Sequence, residues 1–313
     1  MKKFDLITIG ESLIELSSEK SIKFADSFDK YYGGDTLATA IAALKLGSQT
    51  GYITRVGNDH FCEFLLESWQ NIGLDISHVK LVDGYNGLYF VTNQTSSTKE
   101  FSYYRKKTAA CSLSIDDIQE DYIKSAKIVY STGMTQALSL NTREAVKETF
   151  KIAKDNDIIV AYDPNFSEKV WPVSVAKEAF EEILEYVDIL FMNKQNDMMP
   201  LFDINSTDSI IKYLFDLGIK TVVLKSVQEG GYWVYHNNEA RFTEFYTTQV
   251  SDTTSAGDVF NGAFLHGIAN YYDEFQSGLL GSIAAGLQSQ NVGAIKSIAN
   301  KEEVYRIFKG NEQ

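Results

Sequence analysis

The feature that most limits the possible folds of this chain is a regular alternation of short apolar runs and helical segments after about residue 127. Apolar runs at 128–131, 158–162, 189–192 and 221–224 are each separated from the next by a segment with helical spacing. Short, continuously apolar strands joined through helices are typical of a parallel sheet that helices cover on both faces. The sequence therefore predicts an α/β fold with a doubly wound, mostly parallel sheet.

Two segments outside this alternation have a different pattern. Residues 80–107 carry aromatic residues alternating with polar ones around a turn near 95–99, and 11–17 alternates as a more exposed strand. We interpret residues 1–313 as a single domain, with a small β lid formed by about 12–30 and 80–107. An aromatic edge strand of this kind can pair with a second copy, so we expect a homo-oligomer, a dimer or higher, through the lid.

Charge and composition exclude several classes of partner. The net charge is −13, and no stripe of Lys and Arg stands out, which argues against nucleic acid and anionic membrane surfaces as partners. No apolar run approaches the length of a membrane span. The two cysteines form no CxxC or His/Cys cluster. We expect a cytoplasmic protein without a metal site built from its own side chains.

The stretch 250–264 predicts a helix that begins at Ser255 or Ala256. Its first N–H groups have no intrahelical partner, and the side chains of Ser255, Ala256 and Gly257 are small enough for an anion to approach closely. Asp258, in the first turn, is placed to accept a proton from an attacking hydroxyl. The same spacing fits an ordinary capped helix in which Asp258 only complements the dipole. Six residues are predicted to share its buried face: Phe260, Ala263, Phe264, Gly267, Ile268 and Tyr271.

Polar residues follow three of the predicted strands. They are Asp163, Asn165, Asn193 and Lys225. Ligands of doubly wound sheets bind at the carboxyl ends of the strands. We therefore predict a ligand site that includes these side chains.

Two motifs carry a resemblance to a known family. The heptapeptide Asp252-Thr-Thr-Ser-Ala-Gly-Asp258 and the stretch Gly33-Gly-Asp-Thr-Leu37 resemble those of ribokinase-like (PfkB) carbohydrate kinases, most closely the 2-keto-3-deoxygluconate kinases. The resemblance implies an ATP-dependent kinase that phosphorylates a hydroxyl of 2-keto-3-deoxygluconate or a related sugar acid. Asp258 would be the general base, the backbone at 255–257 would stabilise the γ-phosphoryl charge, and Mg²⁺ would bridge the phosphates mostly through water.

The same resemblance assigns the remaining site residues. The predicted substrate-binding residues are Gly34, Asp35, Tyr89, Tyr103, Arg105, Asp163 and Asn165. The predicted nucleotide-binding residues are Asn193, Lys225, Gly230, Gly257 and Asn291.

Four positions depart from the family pattern. Ala38 replaces a sugar-binding Asn, Ser167 replaces an Arg that binds the acid group, Asn196 replaces a Glu, and Val227 replaces a Gly of the nucleotide loop. The first two favour a fructokinase-like or other sugar kinase of the same fold. The last two favour a weakly active or non-catalytic relative that binds a sugar or nucleotide. An intact Asp258 favours catalysis.

Overall fold

The computed structural model describes residues 2–95, 98–202, 206–247 and 250–310. Its strands, in chain order, are β1 (Phe4–Ile9), β2 (Leu13–Ser18), β3 (Asp29–Gly33), β4 (Thr50–Gly57), β5 (Asp75–Val82), β6 (Gly87–Thr95), β7 (Thr98–Tyr104), β8 (Ala126–Thr132), β9 (Ile159–Asp163), β10 (Ile189–Asn193), β11 (Thr221–Ser226), β12 (Gly231–His236) and β13 (Glu239–Glu244).

The helices lie between and after these strands. They are α1 (Asp35–Lys45), α2 (Cys62–Asn71), α3 (Glu120–Lys124), α4 (Gly133–Gln136), α5 (Leu140–Asp155), α6 (Val173–Glu181), α7 (Met199–Leu201), α8 (Thr207–Asp216), α9 (Ala256–Ala269), α10 (Glu274–Ser289) and α11 (Lys301–Gly310). None of the helices described has both the length and the apolar character required to cross a lipid bilayer.

The described strands form two sheets. The large sheet has the order β13-β12-β11-β10-β9-β8-β1-β4-β5, and its strands from β11 to β5 pair in parallel. β12 and β13 extend one edge as an antiparallel hairpin that the sequence analysis did not predict. The predicted doubly wound, mostly parallel sheet is confirmed.

Successive residues of each strand point to opposite sides of the large sheet, so both of its faces are apolar and helices cover each of them. One face packs against α5, α6 and α8, and the other packs against α1, α9 and α10. The first face includes Ile7, Val129, Val160, Phe150, Phe180 and Leu214. The second includes Leu6, Ile128, Phe191, Ala43, Phe260 and Phe264. This arrangement explains why the strands are apolar without alternation.

The small sheet has the order β3-β2-β6-β7. It lies within the segments predicted to form the lid, with two differences in its bounds. Residues 80–82 end β5 in the large sheet, and β3 continues to Gly33. Residues 96 and 97 of the predicted turn lie outside the described residues. The segment 11–17 was predicted to be more exposed than the strand before it, but the residues from Glu11 to Glu15 are buried, and partial exposure begins only at Leu16.

Helix α9 begins at Ala256, as predicted, but its buried face ends earlier than expected. Tyr271 was predicted to be buried, yet it is 89% exposed. It has φ 65°, and the N–H groups of Tyr271 and Tyr272 donate to the carbonyls of Ile268 and Gly267. This hydrogen-bond pattern is a Schellman ending, which reverses the chain before Tyr271 can join the helix face.

Candidate active site

Two charged side chains meet where strands of the large sheet end. Asp163 is the last residue of β9, and Lys225 lies near the end of β11. Lys225 Nζ is 2.6 Å from Asp163 Oδ2, and the side chains are 13% and 3% exposed. Asn261 of α9 donates a 2.8 Å hydrogen bond to the same carboxylate oxygen. The structure therefore joins two of the predicted strand-end residues to α9.

The start of α9 lies beside this ion pair. A Cβ added at Gly257 would be 3.3 Å from Lys225 Nζ, so the ammonium group lies directly over the first turn. Ser255 precedes the helix with φ 62°, a left-handed conformation that is uncommon outside glycine. The Ala256 N–H donates to the Thr253 carbonyl at 3.1 Å, so one of the three predicted anion-binding groups already has a partner. The remaining first-turn N–H groups and Lys225 favour an anion here.

Asp258 lies in the first turn of α9 and is partly buried. Burial raises the pKa of its carboxyl, and the negative charge of Asp35 raises it further, while Lys225 opposes both effects. A carboxylate with a raised pKa holds a proton more tightly and is therefore a stronger base once ionised. Asp258 is thus suited to remove a proton from a hydroxyl.

Asp35 approaches the same place from α1. It lies in the first turn of that helix, and its Oδ2 accepts a 3.1 Å hydrogen bond from Asn165 Nδ2. The Asn165 N–H donates in turn to Asp163 Oδ1 at 3.0 Å. Gly34, just before α1, has φ 130°, and a Cβ there would overlap the carbonyl oxygen of Glu11. Only glycine fits at this position.

The lid contributes two stacked aromatic rings. Tyr89 and Tyr103 have ring centroids 5.5 Å apart and an interplanar angle of 23°. The Tyr89 hydroxyl donates to Glu15, a carboxylate that is 2% exposed. Burial, followed by the charge of Glu15, raises the pKa of Tyr89 well above its ordinary value. Tyr89 is therefore held in place as a neutral donor.

Arg105 has a partner that the sequence analysis did not identify. Its Nη2 lies 2.7 Å from Glu11 Oε2 and donates a 3.2 Å hydrogen bond to the Met134 carbonyl. The Arg105 and Glu11 side chains are only 12% and 3% exposed. Glu11 follows β1, where the chain passes from the large sheet to the small one. Arg105, predicted to contact the sugar acid, is therefore already neutralised by a buried carboxylate.

A cavity of about 1560 Å³ lies between the large sheet and the lid. Its wall includes seven of the predicted residues, which are Gly34, Asp35, Tyr89, Tyr103, Arg105, Asn165 and Asp258. Ser167 and Lys169 also line it. Ala38, by contrast, is fully buried in the core and does not line the described cavity wall. Replacement of the family's Asn by Ala at this position therefore leaves no gap in that wall.

The predicted nucleotide-binding residues outside α9 lie apart from the described wall of this cavity. The Asn193 side chain accepts 2.9 Å hydrogen bonds from the N–H groups of Gln195 and Asn196 and so caps a π-helical turn at 194–198. Gly230 has φ 76° in the turn between β11 and β12, and Asn291 is exposed after α10. These positions stay predictions.

Asp197 is a buried carboxylate near the site that no local sequence pattern marks. It is 2% exposed and accepts 2.6 Å hydrogen bonds from the N–H groups of Phe166 and Asn193. Burial, followed by the charge of Asp163, raises its pKa. Because backbone donors occupy it, Asp197 fixes the loops after β9 and β10 and does not replace the carboxylate absent at the exposed Asn196.

Comparison with known proteins agrees with this arrangement. The model of the pfkB family of carbohydrate kinases matches residues 3–301. The chain belongs to this family.

Three similar proteins illustrate the breadth of the family. The 2-dehydro-3-deoxygluconokinase of Thermoproteus tenax is 32% identical over 267 residues, covering 83% of this chain and 80% of the relative. The 5-dehydro-2-deoxygluconokinase of Clostridium perfringens is 27% identical over 320 residues, covering 96% and 94%. A solved fructokinase with bound ATP from Xylella fastidiosa has a TM-score of 0.87 at 20% identity and covers 100% of both chains, which shows the common fold.

Proposed function

We propose that this carbohydrate kinase transfers the γ-phosphoryl group of ATP to a hydroxyl of 2-keto-3-deoxygluconate or a related sugar acid. The observation that carries this proposal is the position of Asp258, which lines the lid cavity from the first turn of α9 with a raised pKa. The similarity to a 2-dehydro-3-deoxygluconokinase over 83% of the chain supports the substrate.

Each part of the site has a role in this reaction. Asp258 accepts the proton of the attacking hydroxyl, and the N–H of Gly257 with the ammonium of Lys225 stabilises negative charge on the transferred group. ATP bound with Mg²⁺ supplies the phosphoryl group, and the cation neutralises part of its charge. Gly34, Asp35 and the lid tyrosines hold the sugar and exclude water, which would otherwise accept the phosphoryl group.

A second candidate is a kinase for a sugar without a carboxylate, such as fructose. The observation that favours it is the occupation of Arg105 by Glu11, together with Ser167 at the position of the family's acid-binding Arg. A weakly active or non-catalytic role has less support, because Asp258, Lys225 and Gly257 lie together.

The test is an ADP-release assay with ATP and Mg²⁺ against 2-keto-3-deoxygluconate, 5-keto-2-deoxygluconate, fructose and ribose. We expect the highest kcat/KM for a 2-keto-3-deoxy sugar acid, and ADP release without sugar gives the background. Turnover of fructose alone would support sugar-kinase activity but reject a sugar acid as the substrate. Absence of turnover on every sugar, with the ligands still raising the melting temperature, would favour a binding protein.

We also propose that the chain acts in the cytoplasm as a single domain with a lid, and that two copies associate through that lid. β7 is an edge strand of the small sheet and presents Phe101, Tyr103 and Tyr104 at 39%, 52% and 61% exposure. Exposed aromatic side chains on an unpaired edge favour association.

Light scattering after size exclusion should give twice 35.2 kDa. Phe101→Lys should give a monomer, whereas Tyr271→Lys, at an exposed site distant from the lid in sequence, should not.

A further inference from the structure

Glu11 is a buried carboxylate in the cavity wall for which family membership and the proposed reaction give no role. It is 3% exposed, and neither of its carboxylate oxygens accepts a well-aligned hydrogen bond within the described residues, although Arg105 and Thr108 lie close enough to lower its pKa. It lines the same cavity as Asp258. A buried carboxylate whose acceptor positions are incompletely filled is costly, so its retention requires an explanation.

The neighbouring Arg105 is incompletely satisfied as well. Its Nη2 lies 2.7 Å from Glu11 Oε2 and lowers the pKa of that carboxyl, although the contact is not a well-aligned hydrogen bond. Its Nε is buried and also lacks a partner within the described chain. One acceptor group and one donor group, side by side in the cavity wall, therefore remain unfilled.

The charges around this pair limit which chemical group can fill it. Burial raises the pKa of Glu11 to about 7, with Arg105 lowering it and Asp35 raising it. A substrate carboxylate placed here would be repelled by the negative charges of Glu11 and Asp35, and Arg105, the cation in contact with Glu11, is already shared with that carboxylate. A hydroxyl group has no such conflict, because it donates to one atom and accepts from another.

We propose that Glu11 and Arg105 form a hydroxyl-binding subsite, in which one sugar hydroxyl donates to the Glu11 carboxylate and accepts from Arg105 Nε. This inference rests on the proposed sugar-kinase function and refines its substrate class. The subsite selects a hydroxyl over a carboxylate at this part of the cavity. The carboxylate of a sugar acid then binds elsewhere in the cavity, where Lys169 supplies positive charge beside Ser167.

The experiment combines a protein change with substrate changes. KM and kcat are measured for the preferred sugar and for each of its monodeoxy analogues, with wild type and with Glu11→Gln. In the wild type, we expect loss of one particular hydroxyl to raise KM about 10- to 100-fold, since a hydrogen bond to a charged group is lost. In Glu11→Gln, the KM of the parent sugar should rise by a similar factor. The KM values of the parent sugar and of that one analogue should then differ by less than about threefold.

Controls separate this subsite from a general loss of structure. Glu63→Gln removes the same charge from an exposed position in α2 and should leave all constants unchanged. The KM for ATP and the melting temperature report the fold of Glu11→Gln. If that variant unfolds, Arg105→Lys keeps the positive charge but removes Nε, and it should lose discrimination against the same analogue.

Two outcomes would overturn the inference. One is a Glu11→Gln variant that distinguishes every analogue as the wild type does. The other is a wild type that distinguishes none of them. If the wild type phosphorylates no sugar, the proposed function is rejected but the subsite is not. Calorimetric titration with the same sugars would still measure whether the protein binds the parent sugar more tightly than its analogues. An absence of any sugar binding in that titration would reject the subsite.

Discussion

Asp258→Asn should lower kcat by about 100- to 10,000-fold while the KM values for ATP and sugar change little. The amide has nearly the size of the carboxylate but cannot accept the proton of the attacking hydroxyl. Asp258 occupies the first turn of α9 and lines the cavity, so its loss acts on the chemical step. Steady-state ADP release at saturating sugar measures the effect. A variant that keeps more than about one tenth of the wild-type kcat would remove Asp258 from the role of base.

The stability of the same variant is its control. Burial and the charge of Asp35 raise the pKa of Asp258 in the folded protein, so the folded state holds this proton more tightly than the unfolded state. Stability from this group is therefore lost as the pH rises above about 3.9, the ordinary value for Asp. Asparagine does not ionise. Urea denaturation should show Asp258→Asn at least as stable as wild type at pH 8, with the difference shrinking at pH 4.

The beginning of α9 could be predicted because its signals are local. Small residues followed by apolar residues at helical spacing indicate where the helix begins, and the carboxylate in its first turn needs no distant partner. Asp163 and Lys225 could also be placed together, because parallel strands end at one edge of a sheet. These inferences used the sequence pattern and the fold class alone.

The partner of Arg105 could not be predicted in this way. Glu11 is far from it in sequence, and the two residues meet only because the chain crosses from β1 into the small sheet. The alternation at 11–17 suggested a more exposed strand, because the tertiary contacts that bury residues 11–15 leave no trace in the local pattern. A buried Glu carries no local signal that distinguishes it from an exposed one.

Backbone conformation accounts for other differences. Ser255 and Tyr271 are left-handed, with φ 62° and 65°, although neither is a residue that favours this region. The hairpin of β12 and β13 has a local signal in its turn residues. Asn237 and Asn238 both have positive φ, which the two-residue turn of a hairpin requires and which Asn tolerates better than most residues.

Lys225→Met should lower the free energy of unfolding by about 3–5 kcal/mol, because it leaves a buried carboxylate without its cation. Asp163 is 3% exposed, and its remaining described donors are the neutral Asn261 side chain and the Asn165 N–H. Urea denaturation at pH 7 measures the change. Lys212→Met is the matched control, since its pair with Asp216 is exposed at 75% and 63% and should contribute less than about 1 kcal/mol.

Combining Asp163→Asn with Lys225→Met separates the contribution of Lys225 to activity from its contribution to stability. The double variant removes the Asp163 carboxylate together with its cation, so we expect it to recover most of the stability that Lys225→Met loses. Its kcat/KM for ATP should stay about 100- to 1,000-fold below that of Asp163→Asn alone, because Lys225 Nζ lies over Gly257 at the start of α9. Both proteins lack the carboxylate and differ only at residue 225. If the two variants were equally active, Lys225 would have no role in catalysis beyond balancing the charge of Asp163.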